Sequence, residues 1–228
     1  MSTIQKYYGK GGTYLKDHKD YFSDQNLKRD SEFIIQSLKL TKQEKCLELQ
    51  CAHGRLTVEL KTRGYDIDGL DFSTHMIDLA KKLAENNKLK INFFIEDLNN
   101  FKLPTKYSKV FLFFPDWTDL NFEKVLPNIS KIIKRGGLFL YDHDNLFRIW
   151  NYLEKNPKEK NKFIFNPIAM TLKEKEGEMG DRYYTYPELE NIFRQNGFKI
   201  VATYGNWTVE NSEYNYNSPR LRIVAKKI

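Results

Sequence analysis

The clearest patterning lies between residues 45 and 72. A short apolar run, Cys46, Leu47, Leu49 and Cys51, stops at a turn, and Leu56, Val58 and Leu60 follow at spacings that predict a helix closed by Gly64. Asp66 to Phe72 reads as a second strand whose tip carries Asp71. Strand, helix and strand in that order, with a carboxylate about 20 residues past the first turn, make the crossover unit that holds a ribose-bearing cofactor. Ser73 then N-caps a helix with Met76, Ile77, Leu79, Ala80, Leu83 and Ala84 on its buried stripe. Strands are expected at Ile91 to Glu96 and Lys109 to Phe114, the latter a continuous apolar run of the kind found in central parallel strands. A helix from Asn121 to Lys134, ended by Arg135 and Gly136, precedes a strand at Leu138 to Tyr141. Upstream, Leu27, Phe33, Ile34 and Leu38 fit a helix starting near Asp24. Downstream, a helix capped at Gly197, a strand, a polar loop from Asn206 to Arg220 and a last strand, Leu221 to Lys226, complete the pattern.

Composition narrows the picture. A chain of 228 residues with 40% hydrophobic content builds one large α/β domain. It lacks eighteen uninterrupted apolar residues, and its start lacks the apolar run of a signal peptide, so a soluble, cytoplasmic protein without membrane contact is expected. Cys46 and Cys51 on one strand would stand roughly 16 Å apart, too far to bridge, and read as buried thiols. The net charge of +7 raises the question of a nucleic-acid partner. Asn151 to Gly180, however, sets six lysines beside five glutamates, a mixed solvated segment in place of a basic stripe. His18, His53, His75 and His143 show no paired ligand spacing, so no metal is expected.

The turn after the first strand separates two cofactor classes. A dinucleotide fingerprint needs a small residue at its sixth position, and counting from Gln50 that position is Arg55. Positions one, three and five are Gln50, Ala52 and Gly54. With Glu48 before them and Asp71 ending the second strand, this stretch resembles motif I of class I S-adenosylmethionine-dependent methyltransferases, acidic-x-G-x-G-x-G. Gln50 and Ala52 depart from it. Alanine in a left-handed conformation costs roughly 1–2 kcal/mol, so an ordinary φ is expected at Ala52. Gln50 either folds its amide over the cofactor or fills space between strand and helix.

Further segments carry the resemblance to the end of the chain. GLDFSTHM resembles the family's G-x-D-x-S-x-x-M, which implies that Asp71 accepts the ribose hydroxyls while Phe72 and Met76 flank the adenine. IEDL implies that Asp97 binds the adenine amino group, with Leu98 and Phe113 beside the cofactor. KRGGLFLYDHDN resembles L-K-P-G-G-x-L-L-x-D-x-x-N, and NSPRLRIVAKK resembles the S-P-R-L-x-x-V-A-x-K ending of a group of small-molecule methyltransferases. The implied fold is a doubly wound, mostly parallel seven-stranded sheet with a C-terminal antiparallel hairpin, a single domain over residues 1–228.

The implied cofactor is S-adenosylmethionine, its methionine part lying on Gly54 and the following helix amides. Residues 1–40 would form an arm and helix covering it, with Tyr7, Tyr8 and Tyr14 as acceptor-pocket candidates against a packing role. Residues 147–185 would form a small lid. The fourth-strand tip, Phe114, Pro115, Asp116 and Trp117, would stand beside the transferable methyl group. Its order matches neither the D/N-P-P-Y/F/W of nucleic-acid amino-methylating enzymes nor, in full, the FPDPW of tRNA guanine-N7 methyltransferases. Asp116 can orient or deprotonate an acceptor and Trp117 can wall its pocket. His143, among carboxylates at the ligand-binding edge of the sheet, is the best general-base candidate, and a structurally bonded histidine is the alternative. Three functions follow: methyl transfer to an oxygen or nitrogen of a small-molecule acceptor, a catalytically silent cofactor-binding partner protein, and an RNA methyltransferase. Oligomeric state has no signature in the chain.

Overall fold

The computed structural model describes residues 3–115, 120–176 and 180–228. The N-terminal arm holds two short helices, α1 (Thr3–Tyr7) and α2 (Tyr14–Asp17), and a 3-10 turn at Lys19–Tyr21. The 15-residue α3 (Asp24–Leu38), capped by the Ser23 side chain, leads into β1 (Lys45–Leu49), α4 (Arg55–Thr62), β2 (Asp66–Asp71), α5 (Thr74–Asn86), β3 (Phe93–Ile95) and β4 (Tyr107–Leu112). Then come α6 (Phe122–Ile132), β5 (Ile133–Asp144), α7 (Leu146–Lys155), α8 (Pro157–Lys160), β6 (Phe163–Asn166), β7 (Thr171–Glu174) and β8 (Gly180–Arg182). The chain closes with α9 (Tyr186–Gln195), β9 (Phe198–Tyr204) and β10 (Arg220–Lys227).

Among the described residues, the main sheet has seven strands in the order β3-β2-β1-β4-β5-β10-β9. β10 runs antiparallel to both β5 and β9, and the other pairings are parallel. This is the doubly wound sheet with a closing hairpin that the sequence implied. Strand periodicity divides the core between two faces. Cys46, Phe111, Leu140 and Val224 pack with Phe33, Ile34 and Leu38 of α3 and Leu56 and Leu60 of α4. Their alternating neighbours Leu47, Val110, Phe139, Tyr141 and Ile223 pack against α6 and α9. Because β1 lies between β2 and β4, the chain leaves its tip toward one side and that of β4 toward the other, opening a crevice at the C-terminal ends.

Element boundaries differ from expectation most clearly after α6 and after β1. α6 stops at Ile132, and Ile133 already belongs to β5, so Arg135 and Gly136 lie within a strand and do not end a helix. Gly136 takes φ +81°, and a Cβ on Gly137 would stand 2.8 Å from the Ser108 carbonyl oxygen, so two glycines let an irregular strand start early. Cys51 lies past the end of β1, in the turn, and both cysteines are buried free thiols. Residues 147–185 hold α7, α8 and a separate antiparallel sheet, β6-β7-β8. No helix among the described residues is long and apolar enough to cross a membrane.

Candidate functional site

The turn after β1 sets the geometry of the crevice. Gln50, Ala52 and Gly54 all take positive φ, at +53°, +46° and +77°. The alternating left-handed residues are those that glycine would normally supply, so the expectation of an ordinary φ at Ala52 is corrected. The Asp71 carboxylate supports this shape: Oδ2 accepts the Ala52 N–H and Oδ1 the Ser73 N–H, each at 2.9 Å. Cys51 N–H also donates to the Leu70 carbonyl at 2.9 Å. Tertiary hydrogen bonds thus outweigh the local preference of a residue bearing a Cβ. At Gly54 no such substitute is available, because a Cβ there would stand 2.8 Å from that of Ala80. Glycine lets α4 approach α5.

Three cavities adjoin this turn. The largest, about 430 Å³, is lined on the arm side by Tyr7, Tyr8, Tyr14, His18, Tyr21 and Phe22. Glu48, Gln50, Ala52, His53, Arg55, Phe113, Phe114, Asp144, Asp181 and Arg220 complete its wall. A second, about 200 Å³, is lined by Gln50, Phe72, Asp97, Leu98 and Asn99 together with Ile4 and Gln5. A gap of about 20 Å³ shares walls with both and is bounded by Tyr8, Tyr14, Gln50, Ala52, Asp71, Phe72 and Phe114. Most sequence-predicted site residues therefore meet around one crevice. Met76 is buried behind it against Ala52 and Tyr8. The arm is fastened over the turn by the Ser73 hydroxyl, which donates to the Tyr8 carbonyl at 2.8 Å. Tyr8 and Tyr14 meet at a tilt with ring centroids 4.6 Å apart, and Tyr8 meets Phe72 edge-on at 5.6 Å.

The titratable groups of the crevice are perturbed chiefly by burial. The Glu48 carboxyl accepts the Thr57 hydroxyl, and desolvation pushes its pKa up to about 8. Asp71 is pushed up to about 6 by burial, against the opposing pull of its N–H donors. Burial, with Arg55 nearby, lowers His53 to about 4 and keeps its imidazole neutral. Arg55 reaches Asp30 through Nη2 at 3.1 Å, while its buried Nη1 has no partner among the described residues. The guanidinium lies 5.1 Å from the Tyr21 ring centroid. Asp97 Oδ1 accepts the N–H of Asn99 at 2.9 Å.

His143 sits elsewhere. Its side chain is buried beside the crevice wall and is not among the cavity-lining residues. Nδ1 lies 3.1 Å from the Asp144 carbonyl and Nε2 3.0 Å from that of Arg182 on β8, with the Tyr183 ring at 4.8 Å. Burial lowers its pKa to about 4. The geometry is that of the structurally bonded alternative, a histidine joining β5 to β8. Asp116 and Trp117 lie outside the described residues.

Sequence reading missed Arg220 and Arg222. From adjacent inward positions of β10 both reach Asp142, whose carboxyl the two guanidinium groups hold below its ordinary range against the effect of burial. Phe114 N–H donates to the same carboxylate at 2.8 Å, its φ is +51°, and its ring stacks on Trp207 at 5.4 Å. Arg220 belongs to the quoted SPRL segment, but nothing local to that segment says which carboxylate it meets 78 residues away. His53 and Arg55, which line the main cavity, drew no attention as ligands because they interrupt a glycine pattern.

Residues 46–137 match the family model described as a methyltransferase domain. An uncharacterized protein of Methanocaldococcus jannaschii, MJ1252, shares 24% identity over 216 residues, covering 89% of this chain and 78% of the relative. The ubiquinone biosynthesis O-methyltransferase of Coxiella burnetii shares 29% identity over 53% of this chain and 52% of the relative, so that alignment spans about half of each protein. Among solved structures, an S-adenosylmethionine-dependent methyltransferase from Clostridium acetobutylicum superimposes with a TM-score of 0.73 at 17% identity, covering 95% of this chain and 99% of the other. Its motif I turn, its sheet order and these matches make the chain similar to the class I S-adenosylmethionine-dependent methyltransferases, with the methyltransferase-domain match lying over residues 46–137.

Proposed function

We propose that the protein transfers the methyl group of S-adenosylmethionine to an oxygen or nitrogen atom of a small-molecule acceptor. The observation that carries this reading is the 430 Å³ cavity, walled by arm aromatics on one side and the β1, β4 and β5 tips on the other. Its extent suits a small acceptor alongside the amino-acid end of the donor, and its rings suit an apolar or planar body. The Coxiella relative, named as an O-methyltransferase, agrees with such an acceptor.

The residues present fit the donor. The buried Arg55 Nη1, which has no partner among the described residues, and the first amides of α4, which Arg55 opens, provide for a carboxylate. Phe72, Leu98 and Asp97 line a cavity suited to an adenine, the ring faces against apolar walls and the carboxylate toward an amino group. Asp71 keeps lone pairs for a ribose hydroxyl beyond the two N–H groups it already accepts. When bound, the sulfonium supplies an activated methyl group. The protein's part is alignment in a water-poor pocket, where effective molarity contributes roughly 7–11 kcal/mol. Tyr7, Tyr8 and Tyr14 hold the acceptor's body, and Phe113 and Phe114 back it. In this reading His143 is a positioning residue that keeps β8, and with it Asp181, against the cavity.

Two measurements test the reading. Calorimetric titration with S-adenosylhomocysteine is expected to show one site per chain, and a folded protein giving no heat favours a silent partner role. Incubation with S-adenosylmethionine and a library of phenols, catechols, sugars and amines is expected to yield a methylated small molecule by mass spectrometry. Methylation of RNA alone would overturn the acceptor class.

A further inference from the structure

Asp30 of α3 is buried and lines none of the three cavities, yet two wall residues of the largest meet on it. Its Oδ2 accepts the Tyr21 hydroxyl from the arm and Arg55 Nη2 from the start of α4, the latter at 3.1 Å. Its Oδ1 accepts Arg29 Nε at 3.1 Å and Arg29 Nη2 at 2.8 Å. One carboxylate thus serves two guanidinium groups, and a positive charge is left over beside the cavity. The Arg55 guanidinium also lies against the rings of Tyr21 and Phe22, 5.1 and 5.8 Å from their centroids, and the Tyr21 ring meets Phe114 at 4.7 Å. The arm is therefore fastened to this edge of the crevice through the same guanidinium whose Nη1 has no partner among the described residues.

We propose that Asp30 is a positioning residue that couples donor binding to the seating of the arm, because a carboxylate received by Arg55 strengthens the hold of Asp30 on Tyr21. The inference rests on the donor placement above, in which Arg55 Nη1 meets the donor's carboxylate. With Nη2 on Asp30 and its faces against two arm rings, the planar guanidinium has the Nη1 edge left for a ligand. An anion on that edge fixes the plane, and a fixed plane keeps the Asp30 bond and the ring contacts in register. An arm lifted from the crevice would leave Arg55 free to turn, and the anion site would be lost. Binding and seating then favour each other by the same factor.

The test uses the full chain and two ligands that differ only in the carboxylate, S-adenosylhomocysteine and its decarboxylated form, which keeps the amine. Both are expected to bind the wild-type protein in calorimetry, the decarboxylated form about tenfold more weakly. At saturation both should slow tryptic cleavage after Lys10, and only S-adenosylhomocysteine should add severalfold protection after Lys19, which shares a 3-10 turn with Tyr21. Tyr21→Phe keeps the ring against Arg55 and Phe114 and removes the hydroxyl. It should fold, lose the added protection after Lys19, and bind S-adenosylhomocysteine severalfold more weakly with the decarboxylated form unaffected. Asp30→Asn should show the same pattern with a loss of about tenfold; if that variant does not fold, Tyr21→Phe and the wild-type ligand pair decide. Equal protection after Lys19 by the two ligands would overturn the proposal, as would tighter binding of S-adenosylhomocysteine to Asp30→Asn, which would show Asp30 competing with the ligand for Arg55. A wild-type protein that binds neither ligand refutes the donor placement itself, a failure distinct from one in which both bind and Lys19 responds to them alike.

Discussion

Arg220 grips Asp142 with a fork of two hydrogen bonds, Nε to Oδ1 and Nη2 to Oδ2, each 3.0 Å long, and both side chains are buried. Arg222 Nε adds a contact of 3.0 Å to Oδ1, and Phe114 N–H one of 2.8 Å to Oδ2. One carboxylate on β5 thus ties the tip of β4 to two arginines of β10 and fixes the floor of the large cavity. Removing one partner of a buried pair leaves the other charged and dry. Arg220→Ala is therefore expected to cost about 3–5 kcal/mol in chemical denaturation. Arg220→Lys should recover little, since an ammonium cannot reproduce the fork. A loss under about 1 kcal/mol, the range of exposed pairs, would show that the contact is solvent-screened.

The motif turn makes opposite predictions for two small residues. Ala52→Gly relieves a left-handed alanine, a gain of roughly 1–2 kcal/mol, offset by about 0.5–1 kcal/mol of unfolded-chain entropy. The net expectation is a slight stabilisation, read as a raised midpoint of unfolding. Gly54→Ala meets both a φ of +77° and the Ala80 side chain at 2.8 Å, so strain and overpacking add to roughly 2–4 kcal/mol of destabilisation. Similar behaviour of the two variants would sink the account of this turn.

The arm predicts protection on binding. Tyr7, Tyr8 and Tyr14 line the large cavity, while Ile4 and Gln5 reach the second, and the Ser73–Tyr8 hydrogen bond fastens the arm at its middle. A ligand filling both cavities adds contacts to a segment with few buried residues of its own. Saturating S-adenosylhomocysteine should slow tryptic cleavage after Lys10, Lys16 and Lys19 severalfold, with cleavage in 147–185 as the internal comparison. Equal rates with and without the ligand would leave the arm no part in the site.

The sheet and its order were legible because each central strand and helix carries its own period, and the turn after β1 because small residues recur at fixed offsets. Ala52 shows the limit of that legibility. Its left-handed φ follows from Asp71, which lies 19 residues on, so local preference pointed the wrong way. His143 shows another. A histidine among aspartates at the sheet edge reads as a base, yet its ring nitrogens meet main-chain carbonyls of β5 and β8, and only the fold of residues 147–185 reveals that. Arg220 and Arg222 were hidden for the same reason, since charge pairing across β5 and β10 leaves no periodic trace.

Glu48 makes the stability of the ligand-free protein depend on pH up to a higher pH than Asp71, His53 or His143 does. Its carboxyl, ordinarily near 4.5, titrates at about 8 in the folded chain, so the folded state holds a proton that the unfolded state releases. The stability this contributes is complete below about 4.5 and is lost as pH rises through 8. Asp71, raised from 3.8 to about 6, acts with the same sign but is spent by pH 6.5. His53 and His143, lowered from 6.5 to about 4, act with the opposite sign, since the unfolded chain binds their protons first, and their effect is complete only by about pH 7.5. Between pH 6.5 and 8 Glu48 contributes a loss of up to about 1.4 kcal/mol per pH unit, offset near pH 6.5 by the tail of the histidine gain. Glu48→Gln keeps an acceptor for the Thr57 hydroxyl and removes the titration. Urea denaturation at pH 6.5 and 8.0 is therefore expected to show a midpoint that falls for the wild type relative to the variant, which keeps only the histidine gain. The same slope in both proteins would place the titrating group elsewhere.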